Sequence, residues 1–230
     1  MSRITKPDVA EWLGMSVIRQ PGVLGRTTRQ RVVGITAALS AAALETLAVG
    51  LWFGLVAGSR TTSTALAGLG ILFCGALLRA SVFGATVNHL QDLLEPRRLG
   101  AATLLTACWV LWLLVADRIG GQAGLVLATG ALTVLLTCQF TFERRAFGRR
   151  SIRHCSFVPI VPAALLAIGA SALLSAAWFV DWSVTSPPLS VEFATLIVRI
   201  EAVQLGGVVF GLFAFLAHQR RFQRLLERCP

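Results

Sequence analysis

Charged side chains are scarce in this chain. They make up 14% of its 230 residues, whereas 55% of the residues are hydrophobic and the mean hydropathy is +0.72. A water-soluble domain of this length cannot bury so much apolar surface, because many of the residues of a small domain lie at its surface. The composition therefore excludes a soluble globular protein and indicates an integral membrane protein.

Cysteine and histidine are also few, and their spacing excludes several kinds of site. The five cysteines contain no Cys-x-x-Cys pair, and none of the three histidines stands at zinc-finger spacing, so neither a disulfide scaffold nor a metal site is predicted. The sequence also lacks a phosphate-binding glycine loop with lysine, a paired-histidine metalloprotease motif and an acidic cluster for magnesium. These absences argue against an enzyme, and they predict no cofactor.

Six apolar segments are long enough to cross a bilayer, which takes about 20 residues of helix. They lie at residues 32–57, 63–87, 99–116, 122–141, 157–180 and 191–217. Residues 1–31 form an N-terminal arm, which we interpret either as an amphipathic helix lying on the membrane surface or as a partly ordered polar segment. Residues 218–230 form a basic tail.

The basic residues predict which side of the membrane each connection faces. Seventeen Lys and Arg residues lie in the N-terminal arm, the second and fourth connections and the tail, whereas the other three connections hold only Arg60 and Arg118. By the positive-inside rule, both termini are cytoplasmic. Tryptophans fall at the opposite ends of the segments, where indoles favour the membrane interface: Trp52, Trp112, Trp178 and Trp182.

Short connections on the outer side force consecutive helices to pair. We therefore expect an all-α integral membrane protein, a six-helix transmembrane bundle built of three antiparallel hairpins, in the cytoplasmic membrane of a prokaryote. The cytoplasmic basic residues are expected to bind anionic lipid headgroups, at about 1 kcal/mol each. The expected set is Arg144, Arg145, Arg149, Arg150, Arg220 and Arg221. A nucleic-acid partner is not predicted despite the net charge of +10, because no stacking aromatics alternate with the basic runs.

Small residues recur at every fourth position of the first segment. The row comprises Gly34, Ala38, Ala42, Thr46, Gly50, Gly54 and Gly58. In lipid, such a row lets another helix backbone come close. Each step of four residues drifts by about 40° around the helix, so one straight neighbour cannot cover the whole row. Gly207 and Gly211 form a matching step in the sixth segment, and we expect these two helices to pack together.

Ionisable residues within the segments are the candidates for chemistry. A charge at mid-bilayer costs about 2.5–3.5 kcal/mol, so such groups should face protein or water. Helix depth predicts that Glu45 meets Arg199 and Glu201 of the sixth segment. The full expected network is Glu45, Arg79, Glu192, Arg199, Glu201 and Gln204. Two interpretations stay open, a polar clasp that fixes helix register and a proton or ion relay through Glu45 and Glu201.

Two histidines at the cytoplasmic ends of helices permit another hypothesis. His89 follows the second segment and His218 follows the sixth, so two helices offer axial ligands to one haem b. A redox membrane anchor is therefore a further alternative.

Two known families share limited features with the sequence. Gly169-Ala170-Ser171-Ala172 resembles the Gly-x-Ser-Gly motif of rhomboid proteases, but the final glycine is missing. The helix number and the small residues of the first segment resemble the substrate-binding subunits of vitamin importers, which implies small-solute transport. We expect a non-catalytic subunit or scaffold of a larger membrane complex, bound to other membrane subunits through small-residue packing. A transporter or channel subunit is the alternative.

Overall fold

Six long helices make up most of the structure, a computed structural model that describes residues 23–58, 61–87, 95–147, 159–187, 189–191, 194–197 and 199–226. In chain order the helices are α1 (Val23–Gly58), α2 (Thr62–Val87), α3 (Pro96–Ile119), α4 (Gly121–Phe147), α5 (Ile160–Phe179) and α6 (Ala202–Leu226). Each contains a stretch that is long and apolar enough to cross a membrane. By length and composition, the chain is therefore a multi-pass membrane protein.

Four short strands separate α5 from α6. They are β1 (Ser183–Thr185), β2 (Leu189–Val191), β3 (Ala194–Leu196) and β4 (Arg199–Glu201). β1 pairs with β4 and β2 pairs with β3, both antiparallel, so the segment from β1 to β4 folds back on itself. The strands are rich in β-branched residues, such as Val184 opposite Ile200, and these favour extended backbone.

The strands correct the expected start of the sixth membrane segment. Residue 191 was expected to begin a helix, whereas α6 begins at Ala202 and continues to Leu226. Residues 218–226, expected to be a tail, therefore extend the helix. The first part of the N-terminal arm lies outside the described residues, and α1 already begins at Val23.

The helices form a closed ring, because each packs against the next one in the chain and α6 packs against α1. Large side chains fill the centre of the ring. Trp109 of α3 is almost fully buried, and its ring lies edge-on to Trp112 and to Phe210 of α6, with centroids 5.6 and 5.7 Å away. Edge-to-face contacts of this kind add to the stabilisation that burial provides. The bundle thus has a packed apolar core.

Glycine permits the shortest helix connection, the one between α3 and α4. Gly120 and Gly121 have φ angles of +69° and +59°, a region that side chains disfavour. The Gly120 N–H donates to the Ala116 carbonyl at 2.8 Å and so closes the end of α3. Consequently α4 starts directly after α3 and packs beside it.

Candidate functional site

A cluster of five ionisable side chains lies inside the bundle, and we call it the buried charged cluster. Its members are Glu45 of α1, Arg79 of α2, Glu143 of α4, and His218 and Arg221 of α6. Four helices thus contribute, and three of them do so near their C-terminal ends. All five lie within the membrane-crossing stretches. Such groups are costly in lipid, and here they contact one another instead.

Glu143 connects the two guanidinium groups. Arg79 donates from Nη2 to Glu143 Oε1 at 2.6 Å, and Arg221 donates from Nη2 to Oε2 at 2.6 Å. Gln139, one turn earlier in α4, donates from Nε2 both to Glu143 Oε1 at 2.9 Å and to the Ala101 carbonyl at 2.8 Å. The carboxylate therefore ties α2, α4 and α6 together, and Gln139 adds α3.

Phe140 gives the guanidinium groups an aromatic surface. The Arg221 guanidinium carbon lies 3.8 Å from the centre of the Phe140 ring, and that of Arg79 lies 5.7 Å from it. Cations are attracted to the face of an aromatic ring, most strongly where water is excluded. Since Phe140 is buried, this contact helps to hold the two arginines within the core.

Glu45 and His218 form the second part of the cluster. His218 Nε2 lies 2.6 Å from Glu45 Oε2, and both side chains are almost fully buried. Arg79 Nη1 lies 3.7 Å from the same carboxylate oxygen, too far for a hydrogen bond but close enough for an ion pair. Arg79 therefore lies between the two carboxylates and links both parts of the cluster.

Helical spacing explains how neighbouring side chains reach the same place. His218 and Arg221 are three residues apart in α6, and Gln139 and Glu143 are four apart in α4. Residues at these spacings lie on one face of a helix. The sequence thus places each pair together, and helix packing brings the faces into contact.

Several polar atoms in the cluster and next to it have no hydrogen-bond partner among the described residues. They are Glu45 Oε1, Thr46 Oγ1, Arg79 Nε, Arg79 Nη1 and Gln139 Oε1. Buried polar atoms are usually hydrogen-bonded, and an internal water is a common partner where both donors and acceptors face the same space. Donors and acceptors are both present here, so the cluster suits bound water.

The structure separates the residues that were expected to form one network. Arg199 and Glu201 lie in β4, not in α6, and their side chains are 64% and 48% exposed. They pair with each other at 3.3 Å, which the expected helical geometry would have prevented. Gln204 is exposed and its Oε1 accepts from the Glu201 N–H at 3.3 Å, while Glu192 lies outside the described residues. Glu45 and Arg79 alone remain in the cluster.

Two residues take roles other than those expected of them. Arg221 was expected to bind lipid headgroups, but its side chain is buried because it reaches Glu143. His218 was a candidate haem ligand, but its Nε2 atom contacts Glu45. His89, Arg149 and Arg150 lie outside the described residues, Arg145 and Arg220 are exposed, and Arg144 is partly exposed.

Glu143 was missing from the expected set although it connects most of the cluster. The fourth segment was expected to end at residue 141, so Glu143 fell outside it. A usable signal was its spacing of four residues from Gln139, an amide near the end of that segment. Extending the segment by one turn would have placed both side chains on one face.

The row of small residues is only partly used inside the bundle. Gly34, Ala38 and Ala42 are buried, and Thr46 lies against Gly211 of α6, 3.3 Å from where a Cβ on that glycine would be. The rest of the row turns outward: Gly50, Gly54 and Gly58 are exposed and have no atom within 4 Å of a Cβ position. The drift of the row around α1 thus leaves its last three residues on the surface.

The serine of the protease-like motif has a packing role. Ser171 Oγ lies 2.9 Å from the Ala167 carbonyl and within hydrogen-bond distance of Thr129 on α4. Rhomboid proteases also use a histidine on a helix, and His218, which would have to take that place here, contacts Glu45. Ser171 therefore joins α5 to α4.

These features define a multi-pass membrane protein with a charged cluster inside its helix bundle. In comparisons with protein-family models, curated proteins and solved structures, the chain matches none. Within the residues that the structure describes, no group of three or more His, Cys, Asp or Glu side chains is arranged to hold a metal ion. The function must therefore be inferred from the geometry of the chain's own residues.

Proposed function

We propose that this protein is a non-catalytic subunit or scaffold of a larger membrane assembly. The observation that carries the proposal is the exposed end of the small-residue row on α1, Gly50, Gly54 and Gly58. Gly50 and Gly54 lie on the same outward face as Leu47 and Leu51, which are 62% and 58% exposed. A shallow strip flanked by leucines lets a second membrane helix approach closely and pack. The partner we propose is therefore a transmembrane helix of another subunit.

The proposal includes the orientation of the chain. We propose three antiparallel hairpins with both termini in the cytoplasm of a prokaryotic cell, and the distribution of basic residues supports this orientation. Contacts support the first hairpin, since a Cβ on Gly75 would meet Ala48 and one on Gly68 would meet Trp52. Between these two contacts the residue number increases in α1, from 48 to 52, and decreases in α2, from 75 to 68, as expected for antiparallel helices. Anionic headgroups would then bind the exposed Arg145 and Arg220.

We expect Gly54→Leu to release the protein from its assembly without unfolding it. The added side chain fills the strip, while no atom lies within 4 Å of the Cβ position to be displaced. The measurement is the mass of the gently purified particle by light scattering, which should fall toward that of the 24.6 kDa chain in its detergent micelle.

Gly130→Leu is the matched control, because Gly130 of α4 is also exposed with nothing within 4 Å of its Cβ position. Its particle should keep the wild-type mass. Equal masses for the wild type and Gly54→Leu would contradict the proposal.

Proton-coupled transport is the second candidate, and the contact between Glu45 and His218 favours it. Intramembrane carboxylates and histidines of this kind form the proton relays of pumps and transporters. The version that used Glu201 has no support, since that side chain is exposed on β4. A relay would instead run through Glu45 and His218.

For this candidate we expect Glu45→Gln to abolish proton flux in vesicles. The amide cannot take up and release a proton as the carboxylate does, so decay of an imposed pH gradient should fall to the rate of protein-free vesicles. An entrapped pH-sensitive dye reports the decay. Glu201→Gln serves as the control and should leave the rate unchanged; transport fails as an explanation if wild-type vesicles leak no faster than empty ones.

A further inference from the structure

The contact between Glu45 and His218 differs chemically from the rest of the buried charged cluster. Arg79 and Arg221 stay protonated under all conditions a cell meets. Glu143 accepts hydrogen bonds from both arginines and from Gln139, so three donors hold it as a carboxylate. Histidine, in contrast, gains and loses a proton near neutral pH. Proton exchange in the cluster is therefore centred on His218 and its carboxylate partner.

One geometry suits both protonation states of this pair. His218 Nε2–H donates to Glu45 Oε2 at 2.6 Å when the ring is neutral, and the same bond persists when Nδ1 gains a proton. In the second state the contact becomes an ion pair. No side chain has to move for the proton to bind.

The charges around His218 act in both directions on its proton, so they do not fix the ring in one protonation state. Two carboxylates and two guanidinium groups already balance, so a proton on His218 takes the cluster from neutral to a net charge of +1. Arg79 opposes that charge from α2, and Arg221 opposes it from within α6, while Glu45 and Glu143 favour it. From α3, Cys108 interacts electrostatically with Arg79, and the buried Arg98 pairs with Glu95 at 3.7 Å. α5 contains no ionisable residue.

Unpartnered polar atoms provide a place for water beside the pair. Glu45 Oε1 is buried without a hydrogen-bond partner in the described part of the chain, as are Thr46 Oγ1 and Arg79 Nη1. Arg79 Nη1 and Glu45 Oε2 lie 3.7 Å apart without a direct hydrogen bond, so both groups can still take a water as a partner. Water at this position would hydrogen-bond to the Glu45 carboxylate beside the imidazole.

His218 is also close to that end. It lies six residues before Arg224, where the apolar stretch of α6 ends, which corresponds to about 9 Å along the helix. Arg220, two residues further along α6, is exposed. A proton thus has a short distance to travel between solution and the imidazole.

We propose that Glu45 and His218 form a proton-binding site within the membrane-crossing bundle, in which His218 takes up the proton and Glu45 remains its ionised partner. This inference does not require transport, because a site can bind a proton without conducting it. It assigns a ligand, the proton, to the buried charged cluster, whereas the assembly proposal assigns none.

The test is a pH titration of the purified protein with ¹⁵N-labelled histidine, followed by NMR between about pH 5 and pH 9. His218→Gln assigns the signal by its disappearance. In the wild type, the His218 ring should pass between its neutral and protonated forms within this range. In Glu45→Gln the midpoint should fall by about one pH unit or more, because the imidazolium loses its carboxylate partner.

Glu201→Gln is the matched control, since it removes an exposed carboxylate from the same chain and should leave the His218 midpoint unchanged. A His218 ring that keeps one protonation state throughout the range overturns the proposal, and so does an unchanged midpoint in Glu45→Gln. If Glu45→Gln does not fold, the wild-type titration alone decides. Particle mass and vesicle flux are separate measurements, so failure of either functional proposal is distinguishable from failure of this one.

Discussion

Glu143→Leu is expected to lower the free energy of unfolding by about 3–5 kcal/mol, the usual cost of removing one partner from a buried ion pair. Leucine leaves the guanidinium groups of Arg79 and Arg221 buried without the carboxylate that each contacts at 2.6 Å. The arginines cannot lose their charge to relieve this. Unfolding of the detergent-solubilised protein by sodium dodecyl sulfate, followed by circular dichroism, measures the change.

A second substitution separates the loss of charge balance from the loss of packing. Adding Arg221→Leu to Glu143→Leu removes one uncompensated charge, so the double variant should recover part of the lost stability. Glu201→Gln removes a carboxylate from an exposed ion pair and should change stability by less than about 1 kcal/mol. The role assigned to Glu143 is refuted if its replacement costs no more than that of Glu201.

Gly75→Leu is expected to lower the free energy of unfolding by about 3 kcal/mol, at the upper end of the usual cost of overpacking. A Cβ on Gly75 would meet the Cβ of Ala48, so α1 and α2 must separate to admit a side chain. The contact lies one turn of α1 from Glu45, and separating the helices also disturbs the buried charged cluster. The same detergent unfolding assay measures the effect.

Gly70→Leu tests whether the close contact with Ala48, and not the loss of a glycine as such, causes the loss of stability in Gly75→Leu. Gly70 lies in the same helix but is exposed and has nothing within 4 Å of its Cβ position, so this variant should unfold like the wild type. A compensating pair adds a stricter test. Gly75→Ala should destabilise the protein, and Ala48→Gly in the same chain should restore much of the loss. Equal effects at positions 70 and 75 would show that the close approach is unimportant.

The position of the long helices follows from the sequence, because an uninterrupted apolar run of about 20 residues has few alternatives in a membrane. The strand segment between α5 and α6 does not follow so readily. Val191, Thr195 and Ile200 are as apolar on average as residues of a helix, and hydropathy does not separate a strand from a helix. Their β-branched character was the available signal, and the turn-forming Pro187 near β1 agrees with it.

For the candidate site too, the sequence predicts some features and leaves others open. The sequence identifies Glu45 and Arg79 as charges that need partners, since both stand within apolar segments. It does not identify the partners. Counting depth along straight helices pointed to Arg199 and Glu201, but α6 begins later than expected, and the shift brings His218 and Arg221 to the level of the carboxylates.

The sequence by itself determined that this chain has six segments apolar and long enough to cross a membrane, where those segments lie, except for the start of the sixth, and that charges within them need partners. Those properties depend on composition and on order along the chain. Only the tertiary structure decided that Glu143 holds two arginines, that Glu45 meets His218, and that the last three residues of the small-residue row face outward. These contacts depend on the rotation and relative height of helices far apart in the chain, which packing of the whole bundle fixes and no local pattern encodes.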